Sequence, residues 1–225
     1  MQVSQLPPRS TLQEQVLNRL RDAIIDGVFE PESQINQAQL AAEFGVSRGP
    51  LREAIRQLET EGLVRSVKYR GTFVTPLDRE MVRDLYNVRA ELEAYATRLA
   101  VENCVDEDLT EIRCLIEQMR KAALANDAGG VVANDFAVHT YIVKLSRNMF
   151  LEQIWSTLQV QVRRVLSQRH RGYHDLEEIA DSHVALLKLF RQKDAVAAGE
   201  FISAHIRDAG RDLLDRWDGE PKWGR

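Results

Sequence analysis

The sequence predicts a mostly α-helical protein, with an N-terminal winged helix-turn-helix and a C-terminal all-α antiparallel bundle of about six helices. Apolar residues at helical spacing form three segments before the first alternating, strand-like segment. From Pro76 onward the helical spacing continues without a strand signal. A chain of 225 residues with 44% hydrophobic content is long enough for two separate cores. We therefore place domains at residues 1–76 and 77–218, followed by a tail at 219–225.

The first helix is predicted between Ser10 and Gly27. Ser10 with Gln13 three residues later forms a capping-box pattern, and apolar residues then recur at helical spacing until Gly27. The segment that begins at this glycine, GVFEPES, has the composition of a turn.

Two further helices are predicted in close succession, followed by a hairpin. Asn36 with Gln39 repeats the capping pattern for a short helix that ends at Gly45, and Ser47 can cap the next helix only two residues later. Helices joined this tightly cross at a steep angle, as in a helix-turn-helix. After Gly62, the segment LVRSVKYRGTFV alternates β-branched and aromatic residues around a Lys-Tyr-Arg-Gly tip, which predicts a hairpin.

The third helix carries a stripe of arginines at four-residue spacing, Arg48, Arg52 and Arg56. On a helical wheel the stripe lies about 110° from the apolar face. That face consists of Leu51, Ala54, Ile55 and Leu58. The whole chain has a formal net charge of −4, yet residues 47–70 hold six Lys/Arg against three Asp/Glu. The stripe is either a solvated basic face of an ordinary surface helix or a contact with nucleic acid.

The position of the stripe favours nucleic acid. A helix that enters the major groove needs guanidinium groups that fork onto guanine, and a small hydroxyl residue lets its backbone approach phosphate. Ser47, Arg48 and Arg52 supply these groups at the start of the second helix of the tight pair. The hairpin tip at 68–71 is placed to reach the adjacent groove or backbone.

The segments LAAEFGVSRGPLREAIRQLETEGLV and YRGTFV resemble the DNA-binding domain of the GntR family of bacterial winged-helix regulators, over residues 10–75. The resemblance implies that Ser47, Arg48 and Arg52 lie on a recognition helix that contacts double-stranded operator DNA. It also implies that the glycine of the wing tip approaches the minor groove. Gly49 departs from the threonine that is commoner in the family. The candidate DNA-binding residues are Ser47, Arg48, Gly49, Arg52, Lys68, Tyr69, Arg70 and Gly71.

Six helices are predicted after Pro76 from apolar periodicity, initial aspartates and glycine stops. Their predicted spans are 78–103, 106 to the NDAGG segment at 126–130, 131–145, 149–171, 175–191 and 194–217. In the first of them, apolar residues alternate four and three positions apart. These are Met81, Leu85, Val88, Leu92, Tyr95 and Leu99.

Three histidines fall on inward stripes of this bundle. His183 and His205 occupy positions where a hydrophobic residue is expected, and His139 follows Asp135 by four residues, on the same helical face. Each alone is consistent with a hydrogen-bonded core histidine. Convergence of all four without a shared partner would cost several kcal/mol, and one carboxylate with three imidazoles suits Zn²⁺, Ni²⁺, Mn²⁺ or Fe²⁺.

Residues 78–215 resemble the FCD ligand-binding domain, which accompanies this DNA-binding domain in one large GntR subfamily. Metal-binding members share an Asp-x3-His pair, then a histidine, then another histidine about 22 residues further on. In this sequence the matching residues are Asp135, His139, His183 and His205. The resemblance implies a divalent ion in the bundle cavity, with zinc expected in the purified protein, and a small organic acid held with its help. Val138 replaces the aromatic residue usual before the first histidine.

Arg89 is the candidate for binding the carboxylate of that effector. It lies in the segment VRAELE, which matches the first-helix motif of the FCD family, and it flanks the apolar stripe of its helix. The alternative is that Arg89 forms an ion pair between helices or between domains.

The sequence therefore predicts a ligand-responsive transcription regulator, which we expect to be a repressor. It should bind an inverted-repeat operator as a homodimer, because one winged module makes too few contacts for specific affinity. One alternative is a metal-sensing regulator without an organic effector. Another is a metal-dependent helical hydrolase, because a helical bundle with buried Asp and His could hold a catalytic metal. The dipeptide His174-Asp175 would suit such an enzyme, but it lies at a helix start and not on an inward stripe.

The composition also bears on location. No apolar run approaches 18 residues and the first ten residues lack a basic-then-apolar signal, so we expect a cytoplasmic protein without a membrane partner. Cys104 and Cys114 are the only cysteines, and we expect reduced thiols packed as small apolar side chains.

Overall fold

The computed structural model describes residues 12–169, 176–215 and 217. The chain divides into two compact units between Pro76 and Leu77. The predicted cap at Ser10, the His174-Asp175 dipeptide and the tail at 219–225 lie outside the described residues. None of the described helices contains a stretch long and apolar enough to cross a membrane.

Within residues 12–76, the N-terminal unit contains three helices and a three-stranded antiparallel sheet. Its elements are α1 (Leu12–Ile25), β1 (Gln34–Ile35), α2 (Gln37–Glu43), α3 (Arg48–Thr60), β2 (Val64–Val67) and β3 (Gly71–Val74). β3 lies between β1 and β2 in the sheet. α1 packs against α3, and the buried residues of α3 are the four predicted for its apolar face, Leu51, Ala54, Ile55 and Leu58. This is the winged helix-turn-helix order that the sequence predicts.

The short turn between α2 and α3 follows from its capping residues. Asn36 begins α2 by accepting a 3.1 Å hydrogen bond at Oδ1 from the backbone nitrogen of Gln39. Gly45 ends it with φ +62°, a conformation that favours glycine. Ser47 occupies the N-cap position of α3, but its side chain makes no capping hydrogen bond. Its hydroxyl is therefore not needed to satisfy the helix.

Strand β1 was not predicted by the sequence. The GVFEPES segment was interpreted only as a turn, but Gln34 and Ile35, directly after it, pair with Phe73 and Thr72 of β3. Two residues are too few to show an alternating pattern, so this strand forms only because β3 is there to pair with.

The described part of the C-terminal unit contains six helices. They are α4 (Arg79–Asn103), α5 (Asp106–Leu124), α6 (Ala128–Leu145), α7 (Met149–Arg169), α8 (Leu176–Gln192) and α9 (Ala195–Asp215). Helix α6 begins three residues earlier than the predicted Val131, because Asp127 caps it by accepting a 2.9 Å hydrogen bond from the backbone nitrogen of Gly130. Two glycines expected to stop a helix thus lie in its first turn.

Helices α4 and α9 pack along each other at close range. Small residues allow this approach: a Cβ added at Gly210 would lie 2.7 Å from Cδ1 of Tyr86, and one added at Gly199 would lie 2.8 Å from Cγ of Arg98. Helix α5 packs against α6 and α8 on the other side of the unit. Cys104 is buried as expected, whereas Cys114 is exposed, so the expectation of packing was wrong for the second thiol.

The stripe of alternating apolar residues on α4 is partly exposed. Of its members only Leu85 is fully buried, while Val88 and Tyr95 are 53% and 46% exposed. Leu92 and Leu99 lie at the edge of the core. The buried face of α4 is an adjacent one, with small residues, Arg89 and Glu93. The stripe therefore remains available to a further partner.

We predict that Gly210→Ala destabilises the C-terminal unit. The added methyl would overlap the ring of Tyr86, at a cost of about 1–3 kcal/mol in the free energy of unfolding. Gly129→Ala in α6 is the matched control, because its methyl would meet only Oδ1 of Asp127 at 3.5 Å. Thermal and denaturant unfolding of the two variants measures the difference. Equal stability of both variants would contradict the close packing of α4 on α9.

Candidate functional site

The first turns of α3 present a basic, solvent-exposed surface. Ser47, Arg48, Gly49 and Arg52 are all exposed. Arg48 makes no ion pair within the described residues. The guanidinium of Arg52 lies 3.9 Å from the carboxylate of Glu53, a distance at which an exposed pair contributes little. These guanidinium groups are therefore free to bind an external anion or a base edge.

The far end of α3 is anchored in the N-terminal unit by a two-pronged ion pair. The Nε and Nη2 atoms of Arg21, on α1, donate to the two carboxylate oxygens of Glu61 at 2.9 and 2.6 Å. Such a fork fixes orientation as well as distance. With the apolar face of α3 buried against α1, the exposed arginines of α3 are held on a rigid support.

The predicted hairpin tip is a three-residue connection between β2 and β3, because Val67 pairs with Gly71. Lys68, Tyr69 and Arg70 are exposed, and Tyr69 is exposed by 95% with φ +64°. Gly71 has φ +111°, and a Cβ there would lie 2.7 Å from Nε2 of Gln34. The Nε2 atom of Gln34 donates to the carbonyl oxygen of Arg70 at 2.9 Å. The tip therefore requires glycine at 71 and presents three side chains to solvent.

The second cluster lies inside the C-terminal unit. Asp135 and His139 from α6, His183 from α8 and His205 from α9 each offer one ligand atom, and these four atoms all lie within 4.8 Å of one another. The Oδ1 atom of Asp135 is 3.3 Å from Nε2 of His183 and 3.7 Å from Nε2 of His139. The four residues singled out by spacing therefore do converge, and they come from three different helices.

The outer ring nitrogens of two histidines are already occupied. Nδ1 of His183 is 2.8 Å from the carbonyl oxygen of Ile179, one turn earlier in α8. Nδ1 of His139 contacts a carboxylate oxygen of Glu93. Within the described part of the chain, the buried Nε2 of His183 has no hydrogen-bond partner, although Asp135 is near. Both rings thus direct Nε2 toward the same point.

Glu93 is a member of this site that sequence reasoning missed. It is fully buried on α4 and contacts both Arg89 and His139. Its position four residues after Arg89 was visible in the sequence, but such pairs are common on exposed helix faces. The signal that distinguishes it is the position of both residues on the buried face of α4.

Arg89 is buried beside this cluster of Asp135 and the three histidines, and it is paired within its own helix. Its Nε atom donates to Glu93, and its guanidinium lies 5.6 Å from the ring centroid of Tyr86 and 6.0 Å from that of Trp155. Its Nη2 atom has no hydrogen-bond partner in the described part of the chain. Burial acts to lower the pKa of Arg89, but the charge of Glu93, the nearby Tyr86 and Asp135, and the hydrogen bond to Glu93 together outweigh it, so the pKa is raised. Arg89 therefore stays charged, with one donor to spare.

Burial controls the charges of the cluster. It lowers the pKa of His183, which Asp135 opposes only in part. His205 is half-buried as a residue, yet its ring lies among His139, His183 and Phe201, and burial lowers its pKa to about 3. Burial tends to raise the pKa of Asp135, but nearby His139 and His183 lower it below its usual range. An ionised carboxylate therefore faces neutral imidazoles at His183 and His205, which is the donor set of a divalent metal site.

Each of the two units matches a known protein family. Residues 12–74 match the family described as bacterial regulatory proteins, gntR family, and residues 84–208 match the FCD domain. The Nta operon transcriptional regulator of Aminobacter aminovorans is 31% identical over 188 residues, which cover 83% of this chain and 87% of that protein. The gluconate operon transcriptional repressor of Bacillus licheniformis is 28% identical over 214 residues, covering 93% and 88%.

The fold also has solved relatives. The structure of E. coli McbR/YncC matches with a TM-score of 0.79 at 23% identity, over 93% of this chain and 100% of that one. This likeness shows the fold, and the family matches exclude the helical hydrolase that the sequence left open. The chain belongs to the GntR family of bacterial regulatory proteins with an FCD domain: it is a DNA-binding transcriptional regulator, not an enzyme.

Proposed function

We propose that this regulator acts in the cytoplasm and represses transcription by binding an inverted-repeat operator as a homodimer. We propose further that a small carboxylate metabolite, held with a divalent ion in the C-terminal unit, controls that binding. The observation that carries the proposal is the convergence of Asp135, His139, His183 and His205 in a chain whose α3 exposes uncommitted arginines.

The DNA contact is supported by the surface chemistry of α3 and the wing. Arg48 and Arg52 supply forked donors suited to guanine edges and phosphates, and Ser47 with Gly49 leaves the backbone open at the helix start. Lys68, Tyr69 and Arg70 extend the same chemistry to the hairpin tip. Because this surface is local, the overall charge of −4 does not oppose it.

The homodimer is supported by the partly exposed stripe of α4. Val88, Leu92, Tyr95 and Leu99 alternate four and three positions apart, which is the spacing by which two helices pack side by side. One winged module makes few contacts, so pairing of two chains is also what operator affinity requires. We assign the stripe of α4 to contact with a second copy of this chain.

The metal is supported by the donor set and by one orphaned atom. The buried Nε2 of His183 lacks a hydrogen bond within the described residues, and burying such an atom is unfavourable unless a partner is supplied. A divalent ion bound by Asp135 and the three Nε2 or Nδ1 donors would supply it. Zn²⁺, Ni²⁺, Mn²⁺ and Fe²⁺ all accept this ligand set, and we expect zinc in the purified protein.

A carboxylate effector is supported by Arg89 and by the relatives. Nη2 of Arg89 is a buried donor without a hydrogen bond in the described part of the chain, and a carboxylate is its natural acceptor. One relative is named for the gluconate operon, and gluconate is a hydroxy carboxylate. If operator affinity responds to metal and ignores organic acids, the protein is a metal sensor without an organic effector.

We predict that Arg48→Ala and Arg52→Ala each weaken specific operator binding by about 1–3 kcal/mol while the fold is retained. The matched control is Arg56→Ala on the same helix, because Arg56 is paired with Glu53 at 2.9 Å and should matter less. Fluorescence anisotropy with operator DNA at several salt concentrations measures both affinity and its salt dependence. Wild-type affinity in both variants, or binding insensitive to salt, would refute the assignment.

We predict that the wild-type protein retains one divalent ion and that His183→Ala and His205→Ala lose it on desalting. The ion binds the assembled cluster better than the open chain, so the melting temperature should fall on chelation and recover with added metal. Elemental analysis and thermal melts with Zn²⁺, Ni²⁺ and Mn²⁺ test this. Cys114→Ser controls for binding at the exposed thiol. If only trace metal is found and no ion shifts the melting temperature, the metal site is refuted and the four residues form a buried hydrogen-bonded cluster.

We predict that the double variant Val88→Lys, Tyr95→Lys shifts the protein toward monomer. Both side chains lie on the stripe of α4. Burying two lysine charges between paired α4 helices is unfavourable, so the substitutions should weaken the dimer. Val196→Lys is the control, since Val196 is a comparably exposed apolar residue on α9. Sedimentation velocity should show dissociation of the first variant alone. A dimer unaffected by the double change would place the interface elsewhere.

A further inference from the structure

Glu93 connects the proposed metal site to α4. One of its carboxylate oxygens contacts Nε of Arg89, and the other contacts Nδ1 of His139. We propose that Glu93 is a positioning residue, which fixes the ring of His139 with its proton on Nδ1 and its lone pair on Nε2 toward the ion. This inference rests on the proposed metal site and names the residue that prepares one of its ligands.

The chemistry of the contact selects one tautomer. A carboxylate is only an acceptor of hydrogen bonds when ionised, so the ring nitrogen that faces Glu93 must carry a proton. The neutral ring then has its lone pair on Nε2, the atom that lies 3.7 Å from Oδ1 of Asp135. The opposite tautomer would place the Nδ1 lone pair against a carboxylate oxygen in a buried setting. Glu93 thus decides which nitrogen of His139 is available to a metal.

The two histidine rings are oriented by groups in different places. Ile179, whose carbonyl oxygen is 2.8 Å from Nδ1 of His183, lies on the same helix, so that ring is oriented by α8 alone. Glu93 reaches His139 from α4, which is 46 residues earlier in the chain. The orientation of His139 therefore depends on how α4 packs against α6, and metal affinity should depend on the same packing.

Glu93 can remain ionised in the protein interior because it is paired with Arg89. Both side chains are almost completely buried, at 1% and 3% exposed, and an unpaired carboxylate there would be strongly unfavourable. The Nε atom of Arg89 donates to one carboxylate oxygen of Glu93, and the other oxygen contacts His139. A carboxylate that orients a metal-binding imidazole commonly strengthens metal binding by about 10–100-fold.

The test uses zinc alone and the full-length protein. Glu93→Gln keeps the volume of the side chain but cannot accept from both Arg89 and His139, so Zn²⁺ affinity should fall by about 10–100-fold. Glu91→Gln on the exposed side of the same helix, where Glu91 pairs with Arg207, is the matched control and should keep wild-type affinity. In a His139→Ala background, Glu93→Gln should cause little further loss, because the ring it positions is absent.

A second readout does not depend on any variant folding. Nitrogen-15 NMR of the zinc-bound wild-type protein should show His139 protonated at Nδ1 and bound to metal through Nε2. Metal coordination through Nδ1 would overturn the proposal, as would an equal loss from Glu93→Gln with and without His139. Unchanged zinc affinity in Glu93→Gln would overturn it while leaving the metal site intact. Failure of the wild type to bind Zn²⁺ would instead overturn the metal site, and this proposal with it.

Discussion

Burial of ionised groups at the centre of the C-terminal unit is the constraint on which the rest of that unit depends. Arg89, Glu93 and Asp135 are all buried, and each ion would cost several kcal/mol if left without partners. Arg89 and Glu93 satisfy each other on one helix. Asp135 instead depends on nearby His139 and Arg89, which lower its pKa, and it faces His183 and His205, whose own pKa values are lowered by burial. In the arrangement that we propose, a divalent cation is the partner that completes this balance.

The packing of α4 follows from the same constraint. One face of α4 carries the Arg89 and Glu93 pair inward, and small residues on α9 let the two helices approach closely enough to exclude water from it. Val88 and Tyr95 lie outside this face and are exposed, while Tyr86 on it is buried. One helix therefore serves both the buried site and the stripe that we assign to dimerisation.

Much of this arrangement could be predicted from the sequence, and the failures have identifiable causes. Helix periodicity located each helix in the described part of the C-terminal unit, since long amphipathic helices carry a strong local signal. His183 and His205 could be recognised because imidazoles interrupted apolar stripes. Glu93 could not, because its partner His139 is 46 residues away and no local pattern encodes that contact. Strand β1 was missed for the same reason, as it exists only by pairing with β3.

The position of Arg89 changes how control by an effector must be understood. Its Nε is committed to Glu93, so a carboxylate would have to approach through Nη2. Glu93 in turn contacts the metal-ligand candidate His139. In the arrangement that we propose, an effector that draws Arg89 toward itself would alter the charge behind His139, and by linkage a bound ion would alter the affinity for that effector. Because both proposed ligands would act on one buried network, we expect substitution of Arg89 to perturb metal binding as well as the effector contact, so that the two proposed functions are not separable at this residue.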